Sequence, residues 1–392
     1  MNRILNTGIS EMPGLSFNCE CGRRHSVDIK KIVVGNRVID EIAGVARDFS
    51  NGKVFLLADN NTYGACGIRV EKILSDGGYN IKSFIFKQQH QLVPDEKALG
   101  RLLVEIEKDT SLIIVTGSGS LNDLARMLSC RLGIPYAVVC TAPSMDGYAS
   151  TVSPLIIDGF KVTYEAVYPY AIIADLGVMA NAPEEMIHAG VGDVLGKYTA
   201  LADWALSREV NHEYFCATSD GLVRNALLKC ISSLEGIAGR SSEAIRYLTE
   251  ALILSGVAMG LVGNSRPASG AEHHLAHYWE VYALANGIEH PLHGNSVGVG
   301  TVISASIYKL LKERMDISME APEPEQVSLL LRKAGACDDP AELGIKREVF
   351  RESIIHAMEI RPRYTVFHLA KQQGLLEEFA ETLTNRFYGR KV

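Results

Sequence analysis

Between residues 31 and 177 the chain alternates short, continuously apolar runs with amphipathic stretches. KVFLLAD (53–59), IKSFIF (81–86), SLIIVTG (111–117) and YAVVCT (136–141) have strand length, and YAIIADL (170–176) adds one more. The segments near 60–76, 95–109 and 119–132 carry helical periodicity. Apolar strands separated by helices predict a mostly parallel sheet covered on both faces. IIDGFKV (156–162) centres on Asp-Gly and predicts a β-hairpin. After residue 178 the strand pattern stops. Pro183 and two following glutamates open a helix expected to run through Trp204. Further helices are expected near 217–238, 242–262, 271–286, 296–314, 325–335 and 347–359. The expected architecture is an α/β N-terminal domain, residues 1–177, docked on an all-α C-terminal domain, residues 178–392, with a cleft between them.

Composition narrows what such a molecule does. With 392 residues, 39 Lys plus Arg against 46 Asp plus Glu give a net charge of −7. A general nucleic-acid binder needs a basic face, so no nucleic-acid partner is expected, while one small anionic ligand needs only a few local cations. No stretch reads as the roughly 18 to 20 apolar residues of a membrane span. The first residues, MNRILNTGISEMPG, do not form a secretory signal. Most of the eight cysteines, Cys130, Cys140, Cys216 and Cys230 among them, sit singly in apolar segments and read as reduced thiols, which places the protein in the cytoplasm.

Five of the eleven histidines, His273, His274, His277, His290 and His293, crowd into one short window. His273 and His277 share a helix face one turn apart, and Glu280 extends it. His293 precedes Gly294, which reads as a sharp turn before the next helix. Imidazoles from two such elements can converge on a divalent ion. His274, off the face, and His290, in a loop, read as surface or capping residues. Within HAGVGDVLGKYTALADW (188–204), Asp193 stands among small apolar residues, where a carboxylate must be paired or bound to metal. An Asp193–Lys197 ion pair and a metal site are equally compatible with that spacing, and Asp203 reads as a solvated or helix-pairing residue. Asp193, His273 and His293 together would leave a coordination position open, as catalytic sites do.

At the other end, TGSGSLNDLAR (116–126) follows a strand and opens a helix. Gly117 and Gly119 let backbone approach a phosphate at the helix N-terminus, although the full G-x-G-x-x-G pattern is missing. Asp59, ending an earlier strand, fits either a ribose contact or a helix cap. CTAPSMDGYAST (140–151) is a third hydroxyl-rich loop after a strand.

GSGSLND, TAPSMDGYAS, AGVGDVLGKYTALADW, SRPASGAEHHLAHYWE and LHGNSVGVGT, in this order, resemble the bacterial sn-glycerol-1-phosphate dehydrogenases. That family lies in the superfamily of iron-containing alcohol dehydrogenases, glycerol dehydrogenases and dehydroquinate synthases. The resemblance implies a dehydroquinate synthase-like fold, with a nucleotide-binding N-terminal domain and a metal-binding C-terminal one. It implies NAD(H) or NADP(H) lined by Asp59, Gly117, Gly119, Ser120, Leu121, Asn122, Asp123, Thr141, Ala142, Pro143, Ser144 and Ser150. It further implies one divalent metal, nickel or zinc before iron, on Asp193, His273 and His293, with Asp146, Asp193 and His277 facing the substrate. The implied reaction is reduction of dihydroxyacetone phosphate to sn-glycerol 1-phosphate, the metal polarising the C2 carbonyl and Asp193 and His277 taking part in catalysis. A homodimer and a place in phospholipid metabolism follow from the same resemblance.

A phosphorylated substrate needs cations, and Arg266, Lys161 and Lys197 lie nearest the motifs. Two departures stand out. Ser118 and Asn122 in the Gly-Ser loop leave cofactor preference open. FNCECGRRHS (17–26) adds Cys19, Cys21 and His25, half of a zinc-ribbon-like set without a second CxxC, which reads as a small surface turn. A glycerol or polyol dehydrogenase, a dehydroquinate synthase-like lyase using the His273, His277 and Glu280 helix, and a non-catalytic nucleotide binder remain the rival readings.

Overall fold

Beyond a short helix α1 (Asn2–Leu5) and a hairpin of β1 (Ser16–Asn18) and β2 (Arg24–Ser26), the apolar runs assemble into one sheet. It contains β3 (Lys31–Gly35), β4 (Lys53–Asp59), β5 (Ile81–Phe86), β6 (Thr110–Gly117) and β7 (Tyr136–Cys140). A second hairpin, β8 (Val152–Ile157) and β9 (Phe160–Glu165), precedes the last sheet strand, β10 (Ala171–Asp175). The structure, a computed structural model, describes residues 2–87 and 91–389. Residues 1, 88–90 and 390–392, which the two expected domains include, lie outside the described residues.

The strand order is β3-β10-β7-β6-β4-β5 and every pairing is parallel. Helices α2 (Glu41–Arg47), α3 (Asn60–Thr62), α4 (Ile68–Asp76), α5 (Glu96–Glu105) and α6 (Gly119–Leu132) connect the strands. Period-2 alternation divides each central strand between two covered faces. Val54, Leu56, Leu112 and Ile114 pack with Ile42, Val45, Val70 and Leu74 of α2 and α4. Phe55, Leu57, Ile113 and Val115 pack with Leu121, Leu124 and Leu128 of α6. From β4 the chain moves to β5 on one side, and from β6 to β7 on the other. The order therefore reverses between β4 and β6, and a crevice opens outside their carboxyl ends.

The remainder is helical: α7 (Leu176–Ala180), α8 (Glu184–Asn211), α9 (Ala217–Ile231), α10 (Leu234–Ala238), α11 (Ser242–Val262), α12 (Ala271–Ala285), α13 (His293–Lys312), α14 (Pro324–Lys333), α15 (Arg347–His356), α16 (Val366–Gln372) and α17 (Leu376–Tyr388). The core on the α6 side of the sheet continues without a break into Val191, Val194 and Leu195 of α8 and Leu248 and Leu252 of α11. By length and composition α11 is long and apolar enough to cross a membrane, contrary to the sequence reading, but 72% of its apolar window is buried inside the protein.

Several boundaries differ from expectation. Helix α8 continues past Trp204 because Leu206 and Ser207 remain buried, and it ends where His212 turns left-handed (φ 53°). The expected 217–238 helix breaks at Ser232 and Ser233 into α9 and α10. Helices α16 and α17 and strands β1 to β3 were not anticipated. The Asp158-Gly159 hairpin turn formed as expected, with both residues at positive φ (51° and 81°). The turn at Cys19 to His25 keeps Glu20, Gly22, Arg23 and Arg24 exposed, as a surface turn should, but directs its cysteines inward, with Cys19 Sγ 3.8 Å from Cys216 Sγ.

Gly294 is not a turn residue either: His293 begins α13, and Gly294 lies inside it. Its task is close approach, since a Cβ there would sit 1.9 Å from the Ala189 carbonyl oxygen of α8. Gly192 answers from α8, where a Cβ would meet the Gly294 carbonyl at 2.2 Å. These glycines draw the two helices together beside Asp193 and His293. Helix propensity alone would favour Gly294→Ala by about 1 kcal/mol. The backbone clash reverses the sign, and we expect a loss of about 2 kcal/mol or more in urea unfolding. A neutral or stabilised variant would refute the close crossing.

Candidate active site

The crevice at the carboxyl ends of β4 and β6 opens into a cavity of about 1210 Å³ that reaches the helical half of the chain. Asp59, Ser120, Leu121, Asp123, Thr141, Ala142, Ser144 and Ser150 line it together with Gly119. The fit to a dinucleotide rests on α6. Its N-cap, Ser118, makes no side-chain cap, because its hydroxyl is engaged with Ser144 Oγ at 2.5 Å. The first amides of α6 are thus left for an anionic ligand, reinforced by the helix dipole. Asp59 realises the capping alternative, accepting from the Thr62 amide at 2.8 Å through Oδ1, and lines the cavity as well.

Three of the anticipated cofactor residues stand behind this wall. Gly117 ends β6, and its carbonyl accepts from Thr141 N and Tyr148 Oη. Asn122 is buried and donates to the Gly147 carbonyl. Pro143 turns its carbonyl onto α8, where a Cβ on Gly190 would approach it to 1.7 Å. Arg126, fully buried, braces the 146–152 segment by bonds to Gly147 O, Val152 O, Tyr136 Oη and Asp123. Burial pushes the Asp123 carboxyl up to about 6 in spite of that arginine.

At the far end, Lys197 Nζ is 1% exposed and donates to Asp146 Oδ2 (2.6 Å), Asp193 Oδ1 (2.7 Å) and Ala268 O (3.1 Å). Burial alone would depress the ammonium, but Asp146 and Asp193 outweigh it and hold its pKa above the ordinary lysine value. The Asp193–Lys197 ion pair raised by the spacing is therefore present. Asp193 also accepts the Asp146 amide at 2.9 Å, and its Oδ1 lies 3.6 Å from His273 Nε2. His273 engages Glu272 through Nδ1 at 2.8 Å, and Glu272 is itself fixed by Thr199 Oγ1 and the Gly270 amide. A carboxylate behind a histidine in this way sets the ring so that the other nitrogen faces the cleft.

The rings of His273 and His277 each lie 5.2 Å from that of His293. Desolvation holds all three well below the ordinary histidine value, with Lys197 adding to the effect at His273 and Lys161 at His277 and His293. They are neutral at neutral pH, and the buried Nδ1 atoms of His277 and His293 have no hydrogen-bond partner among the described residues. The donor atoms of His277, Glu280 and His293 lie within 4.8 Å of one another. Neutral imidazoles with unused nitrogens beside carboxylates suit a divalent ion of nitrogen and oxygen preference.

The cations fall out differently from the sequence ranking. Lys161 lines the cavity but is ion-paired with Glu280. Arg266 is buried away from the cavity lining, spent on Glu213 and the Tyr364 carbonyl. Arg361, which no local motif announces, lines the cavity, contacts Thr163 Oγ1 at 3.2 Å and has no carboxylate ion pair among the described residues. His290 is in the lining too. Asp203 is not solvated: it accepts from Ala271 N, Val366 N and Tyr308 Oη and so joins α8 to α12, α16 and α13. Burial pushes its carboxyl up to about 7. His274 is neither surface nor cap but fully buried, with no hydrogen-bond partner at either ring nitrogen among the described residues.

Comparison with known proteins bears on the family and the fold. The iron-containing alcohol dehydrogenase family profile matches residues 33–183. A glycerol-1-phosphate dehydrogenase [NAD(P)+] of Halalkalibacterium halodurans is 34% identical over 390 residues, spanning 93% of this chain and 98% of the relative. One from Methanosarcina barkeri is 33% identical over 354 residues, spanning 90% and 94%. Among solved structures, glycerol dehydrogenase from Schizosaccharomyces pombe matches with a TM-score of 0.69 at 17% identity, over 92% of each chain. Sulfoacetaldehyde reductase from Bifidobacterium kashiwanohense, solved with NAD+, gives 0.69 at 14% identity, over 92% of this chain and 98% of that one. These structural likenesses establish the shared fold.

The buried neutral histidines make a prediction about acid stability. A histidine held below its ordinary value of 6.5 in the folded chain takes up a proton only on unfolding. Its contribution is intact above pH 6.5 and is lost as pH falls below it. Unfolding free energy of metal-free protein should therefore drop steeply below pH 6.5. His274→Leu should shallow that slope by about 1.4 kcal/mol per pH unit, measured by urea titration at several pH values. An unchanged slope would mean that His274 already titrates normally.

Proposed function

Because the chain belongs to the glycerol-1-phosphate dehydrogenase family, within the iron-containing alcohol dehydrogenases, we propose that it reduces dihydroxyacetone phosphate to sn-glycerol 1-phosphate with NADH or NADPH. What carries the reading is one cleft that joins the uncapped N-terminus of α6 to the histidine cluster. The division of work follows the two halves of the chain. Residues 1–177 would hold the dinucleotide, with its diphosphate at the first amides of α6, a ribose at Asp59, and Thr141, Ser144 and Ser150 along its length. Residues 178–392 would hold the divalent ion, nickel or zinc before iron, on Asp193, His273 and His293. When bound, the ion supplies Lewis acidity toward the C2 carbonyl and the nicotinamide supplies the hydride.

The chain's own groups then orient and protonate. Glu272 fixes the His273 ring, and Lys197 holds Asp146 and Asp193 in a single arrangement. His277, neutral and lining the cleft, orients the substrate hydroxyl or relays a solvent proton to the C2 oxygen as the carbonyl is reduced, with Glu280 Oε2 3.7 Å from its Nδ1. Arg361, without a carboxylate pair, meets the substrate phosphate, and Lys161 beside it on β9 adds charge. A homodimer belongs to the same reading and is checked by sedimentation. The tight grouping of His277, Glu280 and His293 favours a second seat for the ion, one turn further along α12.

NADH oxidation is expected with dihydroxyacetone phosphate and not with dihydroxyacetone, to be lost on chelation and restored by nickel or zinc. Turnover of dihydroxyacetone alone would make this a polyol dehydrogenase, and absence of net NADH consumption would return the lyase reading. Arg361→Ala should raise KM for dihydroxyacetone phosphate about 10- to 100-fold, the worth of a charge-assisted hydrogen bond, and leave KM for NADH unchanged. His277→Ala should keep the metal and lose turnover, whereas loss of the metal would move the ion to the second seat.

A further inference from the structure

Outside the cleft, a second group of metal-binding side chains comes together from opposite ends of the fold. Cys19 and Cys21 lie in the turn between β1 and β2, His25 lies in β2, and Cys216 is the N-cap of α9. Their four donor atoms all lie within 4.8 Å of one another. We propose that Cys19, Cys21, His25 and Cys216 form a structural zinc site, three thiolates and one imidazole, that fastens the N-terminal hairpin to the corner between α8 and α9. The site shares no residue with the cleft, so it stands whether or not the proposed activity does.

The distances carry the inference. A tetrahedral zinc with bonds of about 2.3 Å to sulfur and 2.0 Å to nitrogen sets sulfur–sulfur edges of about 3.8 Å and sulfur–nitrogen edges of about 3.5 Å. Cys19 Sγ and Cys216 Sγ are 3.8 Å apart, and His25 Nε2 lies 3.2 Å from Cys21 Sγ and 3.5 Å from Cys216 Sγ. A disulfide between two of these cysteines would account for two donors and leave the imidazole and the third sulfur without a reason to converge. Four protein donors fill a tetrahedron and leave no position open for substrate, which marks a structural rather than catalytic site. The sulfur-rich set also selects differently from the nitrogen and oxygen donors of the cleft.

The surroundings are those of a built site. Tyr214 Oη lies 3.1 Å from Cys21 Sγ and Thr218 Oγ1 lies 3.3 Å from Cys19 Sγ, hydroxyls placed to donate to thiolates. Gly22, at φ 85°, reverses the chain between the ligands, and the Cys19 amide donates to the Arg23 carbonyl at 2.9 Å. The Arg23 guanidinium covers the Tyr214 ring at 3.5 Å. His25 and Cys216 are buried, and the cysteines pack against Trp204, Val223 and Val262. Two strands of three residues each have little stability of their own, so a cross-link to α9 gives this hairpin its anchor.

The test is full-length protein produced in cobalt-supplemented minimal medium. Tetrahedral cobalt on thiolates gives near-ultraviolet thiolate-to-metal charge-transfer bands and intense visible bands, and the cleft, which no cysteine lines among the described residues, cannot produce the former. The charge-transfer bands should be present in the parent protein and in His293→Ala, lost in Cys21→Ser and Cys216→Ser, and retained in His25→Cys. In zinc-grown protein the serine variants should lose about one zinc per chain relative to the parent. Cobalt-loaded parent protein without thiolate bands would overturn the proposal. So would a mass deficit of one pair of hydrogens showing a Cys19–Cys216 disulfide in protein kept under reducing conditions. The parent spectrum decides the matter even if a serine variant fails to fold.

Discussion

Lys197 carries its charge in the middle of a buried helix, where 1% of its surface meets water, and a charge so placed persists only where carboxylates meet it. Asp193 comes from one turn earlier on α8, but Asp146 must come from the loop after β7, and Ala268 from the segment before α12. The ammonium therefore specifies where three separate pieces of chain meet. A buried ion pair of this kind is weak evidence for stability, because its desolvation cost offsets much of its Coulombic gain. Its consequence is positional. It brings the sheet's carboxyl edge, which carries Ser118 and Thr141, up to the helices that carry His273 and His293.

Backbone approach does the rest. Gly190 admits the Pro143 carbonyl to α8, while Gly192 and Gly294 let α8 and α13 cross with no side chain between them. Side chains at those positions would collide with backbone of the neighbouring segments and disturb the approach of Asp193 to the histidines. Small residues in α8 thus answer a distance requirement of the site, although they weaken the helix as an isolated element. Asp203 closes the same assembly one face away, with one carboxylate accepting from α12, α13 and α16 together.

What the sequence made legible follows from how local each determinant is. The buried strands announce themselves as continuous apolar runs, and the hairpin announces itself by Asp-Gly, because both are decided within a few residues. Asp193, His273, His277 and His293 could be singled out because a carboxylate among small apolar residues and histidines at helical spacing are unusual in one dimension. Arg361 could not, since nothing near it distinguishes a cleft cation from a surface one; only the fold brings it to Lys161 and Thr163. Gly294 was misread because a glycine needed for packing and a glycine needed for turning look alike without the partner helix. Cys216, about 190 residues from His25, illustrates the same limit for a ligand set. Helix α17 is a different case, since Leu376, Phe379, Ala380 and Leu383 carry the helical period openly and were simply passed over.

The two side-chain clusters then divide the chemistry by donor type and by charge. Three thiols and an imidazole make a soft, closed set outside the cavity lining, suited to holding structure. Around the histidine cluster, Lys161, Lys197 and Arg361 face Asp146, Asp193, Glu272 and Glu280, so carboxylates exceed cations there by one when all are ionised. A dication on the proposed ligands would reverse that sign around the histidines, the condition under which a phosphate dianion would gain by binding there. The histidines contribute donors without adding charge because burial keeps them neutral. On this balance the ion would do more than act on a carbonyl: it would set the electrostatic sign of the histidine end of the cleft. In that way a protein with a net charge of −7 could present a locally receptive surface to the proposed anionic substrate.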